Sequence, residues 1–317
     1  TSGAMKCPFK KLQTQISHSI PNRILYGVLK ILLNFIDKPP KPTTSNELPR
    51  FTESPLVSRL NTDLLDEASG IIESYQFSGH LWVHEDNGSR SNFIHLLSHQ
   101  GIYLGRFQLP VPIRDWEDIA IGPGPIAGKN YIYLAEIGDN LEQYPEYAIY
   151  RFEEPSSLQQ PIRTVDTISF TYDDGKSYDA ETLLLDPLTK DLYIITKRQF
   201  NVRVYKLAYP QSTTTTNTAT FLFTMPYPFL TGGDISKDGK EILLKNYDAI
   251  YYWKLKTDET IEQALRRPRD IAPFYMREKQ GEAICFDKEQ KGFFTLSERA
   301  SAPETASLFY YQKIPVP

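Results

Sequence analysis

The chain has 317 residues, enough for one large domain or two ordinary ones with a substantial buried core. Hydrophobic residues make up 40% and charged residues 23%, ordinary globular values, and the net charge is −4. Phosphate backbones demand a clustered basic footprint, and the densest stretch here is only LRRPRD at 265–270, so a nucleic-acid partner is excluded.

The first 50 residues differ from the rest. TSGAM reads as a tag remnant ahead of Met5. In IPNRILYGVLKILLNFIDKPPKP, the apolar residues Ile24, Leu25, Val28, Leu29, Leu32, Leu33 and Ile36 fall at helical spacing. Pro21 suits the first turn and Pro39-Pro40 ends it, so an amphipathic helix is expected over residues 21–37. Lys30 interrupts the run, which falls short of the roughly 20 apolar residues a membrane span needs. The helix is expected to pack on the main domain, with peripheral contact to a membrane surface as the alternative. DKPPKPTTSNELPR (37–50) then reads as a linker to a second domain over 51–317. Tyr (20) and Phe (17) are plentiful, which leans the composition towards β structure. Cys7 and Cys285 make no disulfide framework and are expected to be free thiols.

From residue 55 onward a unit recurs five times at a spacing of about 48 to 64 residues. An acid opens a short strand in EASGII (67–72), EDIAIG (117–122), ETLLLD (181–186), GDISKD (233–238) and EAICFD (282–287). An apolar strand follows in HLWVHED (80–86), YIYLAEI (131–137), LYIITKR (192–198), ILLKNYD (242–248) and FFTLSER (293–299). An aromatic-rich third strand comes next, as in YAIYRF (147–152) or IYYWKL (250–255), and a fourth follows most units, as in TISFTY (167–172). Turn signals such as DNGSR, DPLTKD and SKDGK separate them. Four strands per unit at this period predict an all-β fold, a β-propeller of five blades. The last unit lacks a fourth strand, and SPLVSRL (54–60) is placed to supply it, closing the ring and removing two sheet edges. A sixth blade is the alternative, with DETIEQALRRPRDIAPFYM (258–276) as the spare material; that stretch reads better as a short helix plus an outer strand.

In a propeller the first strand of each blade lines the central channel, so Glu67, Glu117, Glu181, Asp234 and Glu282 are expected to converge there. Two ionised carboxylates ~6 Å apart at an effective dielectric near 20 repel by about 2–3 kcal/mol. The relief is protonation, a basic neighbour, main-chain N–H donors, or a hard cation such as Ca²⁺, whose preferred ligands are carboxylate oxygens. The candidate metal ligands are those five acids together with Glu136 and Asp139 of EIGDN. Glu117, Asp118 and His84, the last beside Glu85, are the catalytic candidates. HEDNGSR (84–90) adds Asp86, Asn87 and Arg90 to the same expected end of the channel. Lys197, Arg198, Lys245 and Arg299 are candidates to hold a small or anionic ligand. No Gly-x-Ser-x-Gly, His-Glu-x-x-His, P-loop or Cys-x-x-Cys motif is present, which removes the local signatures of serine hydrolases, zincins and nucleotide hydrolases.

The succession EASGII…LWVHEDNG, DWEDIAIG…YIYLAEIGDN, YDAETLLLDP, TGGDIS and GEAICF resembles bacterial propellers of the SdiA-regulated and phytase-like families over about residues 60 to 312. The resemblance implies a propeller, often outside the cytoplasm, sometimes with bound calcium. Lys197 and Arg198 depart from the pattern, standing where the first two units carry acids. Three functions compete: a binding module holding a ligand and a cation over the channel mouth, a metal-assisted phosphoesterase or lactonase, and a glycosidase using two channel carboxylates.

Overall fold

A computed structural model describes residues 48–62, 64–86, 92–299 and 305–314. The amphipathic helix expected over 21–37, together with Cys7, Asn87 and Arg90, lies outside the described residues.

The described chain is nearly all-β. It enters through two short strands, β1 (Arg50–Phe51) and β2 (Leu56–Arg59). An antiparallel meander follows: β3 (Ala68–Glu73), β4 (His80–Glu85), β5 (Phe93–Ser98) and β6 (Tyr103–Gln108). A second comprises β7 (Trp116–Pro123), β8 (Asn130–Glu136), β9 (Tyr147–Glu153) and β10 (Asp166–Tyr172). The third comprises β11 (Ala180–Leu185), β12 (Leu192–Thr196), β13 (Val202–Leu207) and β14 (Asn217–Met225). Its outer strand β14 pairs in parallel with β10, Phe170 opposite Asn217, which fuses the second and third units into one eight-stranded sheet. The two end strands of that sheet, β7 and β11, lie side by side, so it nearly closes on itself.

The fourth unit has three strands, β15 (Leu230–Ile235), β16 (Glu241–Asn246) and β17 (Ile250–Lys254). The segment after it forms a short helix, α1 (Ile261–Arg266), started by a Thr260–Gln263 capping box, and then bridges Tyr252 through Ile271. The helix is the one that the sequence suggests, while the expected outer strand is reduced to this single bridge. The last unit comprises β18 (Ala283–Phe286), β19 (Gly292–Leu296) and β20 (Ser307–Ile314). Both entry strands pair antiparallel with β20, Val57 opposite Phe309 and Phe51 opposite Lys313.

The first strands are buried along their length, with only Pro123 at the end of β7 half-buried, so both faces of each are covered by neighbouring strands. Outer strands such as β10 alternate buried and half-exposed residues, because one face meets water. The first strands adjoin one another in sequence, β3 to β7, β7 to β11, β11 to β15 and β15 to β18, and β18 returns to β3. The hairpin turns use side-chain caps. Asp186 accepts from Leu188 N at 2.8 Å and from Thr189 Oγ1 at 3.0 Å, and Asp287 accepts from Glu289 N at 2.9 Å and from Lys291 N at 3.0 Å. Gly239, at φ +72°, lets SKDGK turn back.

Candidate functional site

The pairing of each first strand with its second strand slips by one residue near the start. The extra residue is Ser69 in β3, Glu117 in β7, Glu181 in β11 and Thr231 in β15. Glu282 stands just before β18 at the corresponding place. A bulge leaves one residue out of the ladder and re-aims its side chain. The series is therefore hydroxyl, carboxylate, carboxylate, hydroxyl, carboxylate. Glu67 falls two residues ahead of its bulge and Asp234 three beyond, so the five expected acids do not occupy equivalent positions. The two hydroxyls bind the next first strand. Ser69 Oγ donates to Glu117 O at 2.8 Å, and Thr231 Oγ1 donates to Glu282 O at 3.2 Å.

Asp118 and Asp234 perform the same service with carboxylates. Asp118 accepts from Leu183 N of β11 at 2.9 Å and from its neighbour Ile119 N at 2.9 Å, and Asp234 accepts from Phe286 N of β18 at 2.9 Å. Burial pushes Asp118 well above the usual carboxylate range and Asp234 up to about 8, opposed by these amide donors. Both residues stitch one first strand to the next.

First strands begin where second strands end, so one end of the ring collects both sets of residues. Asp86 follows β4, Asp115 and Glu117 open β7, Asp179 and Glu181 open β11, Lys197 follows β12, and Tyr247 follows β16. Lys197 Nζ contacts Glu181 and donates to Tyr247 Oη at 3.1 Å; Tyr247 in turn donates to Glu282 Oε1 at 2.5 Å. Arg198 Nε lies 2.5 Å from Asp179 Oδ2, and its guanidinium also reaches Asn140 Oδ1. Asp139 N donates to Asp179 Oδ1 at 2.8 Å. Two carboxylate triplets have oxygens within 4.8 Å of one another: Asp86, Asp115 and Glu117, and Glu117, Asp179 and Glu181.

Glu117 belongs to both triplets. It is only 2% exposed, and among the described residues its carboxylate has neither a hydrogen-bond donor nor an ion pair. Burial, then Glu181, Asp86 and Asp115, push it well above the ordinary range. Glu181 is raised in the same way by burial, with Lys197 opposing. Burial together with Glu282 and Asp115 lifts Asp86 to about 8. Burial, Glu282 and Glu67 lift Glu298 to about 8. Burial would lower Lys197, but Glu181 and the surrounding carboxylates outweigh it and hold the ammonium well above its ordinary range. Carboxylates crowded this tightly are the donor set that hard cations take.

The other expected site residues lie apart from these triplets or are otherwise engaged. Glu136 accepts from Arg114 N at 3.0 Å and also from Asp115 N. Asp139 accepts from Gln143 N, Tyr144 N and Tyr147 Oη, each at 2.8 Å. These two acids hold the chain that enters β7 and the turn after β8. His84 is buried in β4 beside Gly70, its ring edge-on to Trp116, and burial lowers it to about 4. Lys245 is fully buried, with Nζ on the Gly281 and Asn246 carbonyls, and Arg299 pairs with Asp66 at 2.8 Å. All four expected anion-holding residues thus have acidic or carbonyl partners. Asp115, Asp179 and Tyr247 are brought to the site without having been singled out for it. The signal for the two acids is the repeated Asp-x-Glu of DWE and DAE, a spacing that suits one side of an extended chain. Tyr247 has no such mark. No family model and no curated protein matches the chain.

Proposed function

We propose that the chain is a five-bladed β-propeller whose acid-lined mouth binds a hard divalent cation, and that it acts as a binding module presenting that ion to a small ligand. The closed succession of first strands supports five blades, as does the pairing of β1 and β2 with β20. The stretch 258–276, the material for a sixth, is spent on α1 and on the outer edge of the fourth sheet. The likeness of the acid-opened strands to SdiA-regulated and phytase-like propellers agrees with this architecture.

The observation that carries the cation is Glu117, buried and, among the described residues, without a partner, between two further pairs of carboxylates. An uncompensated buried carboxylate costs several kcal/mol, and a bound cation removes that cost. The test is thermal melting with Ca²⁺ and with chelator. The parent is expected to melt higher with Ca²⁺, and the difference is expected to vanish in Glu117→Gln. Identical melting of the parent under both conditions refutes the reading.

A second reading is a metal-assisted hydrolase. It is favoured by the Lys197 ammonium and Tyr247 hydroxyl, which meet on the Glu181 side of the same mouth. A bound ion would supply Lewis acidity there. A panel of phosphoesters, lactones and glycosides tests it, with turnover in the parent and none in Glu117→Gln as the supporting result.

A further inference from the structure

We infer that the mouth takes one divalent cation, on the carboxylates of Asp86, Asp115 and Glu117, and that Lys197 and Arg198 close the neighbouring Glu117, Asp179 and Glu181 triplet to a second ion. This rests on the cation reading above and states where the ion sits and how many there are.

The two triplets look alike as sets of oxygens, but their surroundings differ. In the second, Lys197 stands on Glu181 and Arg198 Nε lies 2.5 Å from Asp179 Oδ2. A divalent ion there would share its ligands with two fixed positive charges, and it would have to displace bonds already made in a buried place. In the first, neither Asp86 nor Asp115 has an ion pair among the described residues, and their oxygens lie within 4.8 Å of each other and of Glu117. Glu117 adds a buried carboxylate with no partner of its own. Asp86 and Asp115 are half-buried, so the ion has a way in from solvent.

A Cβ at Gly138 would overlap Glu117 Oε1 and Asp115 Oδ2, so the glycine of EIGDN lets both carboxylates sit where they do. Oxygen ligands alone favour Ca²⁺ or Mg²⁺, and three carboxylates leave part of a six- to eight-oxygen Ca²⁺ shell for water or ligand.

Calorimetric titration of the full chain with Ca²⁺ decides the matter. The parent is expected to bind one ion. Asp86→Asn is expected to bind at least about tenfold more weakly, since it removes a charged ligand. Gly138→Ala is expected to weaken binding similarly by displacing Glu117 and Asp115 without removing any carboxylate, with melting used to confirm that it folds. In the double variant Lys197→Met, Arg198→Met the second triplet loses both of its tethered cations, and two ions are expected. Two ions in the parent, unchanged affinity in Asp86→Asn, or a single ion in the folded double variant each overturn the inference while the cation reading stands. No binding of Ca²⁺, Mg²⁺ or Mn²⁺ to the parent overturns both. Should the double variant fail to fold, the parent stoichiometry and Asp86→Asn decide alone.

Discussion

The Tyr247 hydroxyl donates to Glu282 Oε1 at 2.5 Å while it accepts from Lys197 Nζ at 3.1 Å. A single phenol thereby joins side chains from the third, fourth and fifth units. Removing it leaves Lys197 and Glu282 each short of one partner in a largely dry place. A hydrogen bond to a charged group contributes about 1.5–3 kcal/mol. Tyr247→Phe is therefore expected to lower the unfolding free energy by about 2 kcal/mol in urea denaturation. A midpoint equal to the parent's would show that the link carries no energy.

Lys245 and Glu278 are both buried and interact through their charges. Burial pushes Lys245 down to about 8 and Glu278 up to about 7, each opposed by the other's charge. Glu278 also accepts from Thr295 Oγ1, and Lys245 lies 4.7 Å from the centre of the Tyr275 ring. Removing one partner of a buried pair strands the other and typically costs about 3–5 kcal/mol, whereas replacing both with apolar groups is far less costly. Lys245→Met and Glu278→Leu should each destabilise by that order, and the double variant by clearly less than their sum. Additive losses in a double-mutant cycle would refute the coupling.

Two buried histidines each add an acid-sensitive contribution to stability. Burial lowers both His84 and His95 to about 4, with Arg106 also lowering His95. Glu85 lies 3.7 Å from His95 and Trp116 beside His84. A histidine whose folded value is depressed stays neutral in the fold while the unfolded chain takes up a proton. Its stabilising contribution is thus complete above about 6.5 and is lost as pH falls towards 4. Each site accounts for a loss on the order of 3 kcal/mol across that window. The raised carboxylates such as Asp86 and Asp234 act in the opposite sense, so the histidine share is read as a difference: relative to the parent, His95→Phe should gain unfolding free energy as pH goes from 7 to 5.5 and 4.5. The same slope in parent and variant would remove His95 from the account.

Much of this architecture was legible in the amino acids themselves. Asp186, Gly239 and Asp287 sit in turn signals whose chemistry is local, so DPLTKD, SKDGK and DKEQKG mark hairpins without reference to the rest of the chain. The short helix at 261–266 and the strand at 56–59 were equally visible, because caps and apolar periodicity act within a few residues.

What the amino acids left undecided was register and partnership. An acid ahead of an apolar run looks the same in EASGII, EDIAIG and GDIS, yet only pairing with the second strand places the bulge at Ser69, Glu117 and Thr231. Because side chains alternate along a strand, a shift of one residue sends them to opposite sides. That is why Asp234 binds Phe286 N while Glu117, in a similar string, is left among carboxylates. Charge partners are likewise set by distance in space. Nothing near Lys197 or Arg198 in sequence announces that they neutralise Glu181 and Asp179, leaving Asp86, Asp115 and Glu117 without an ion pair among the described residues. Local chemistry determined the elements, and long-range packing decided which carboxylates remain unpaired.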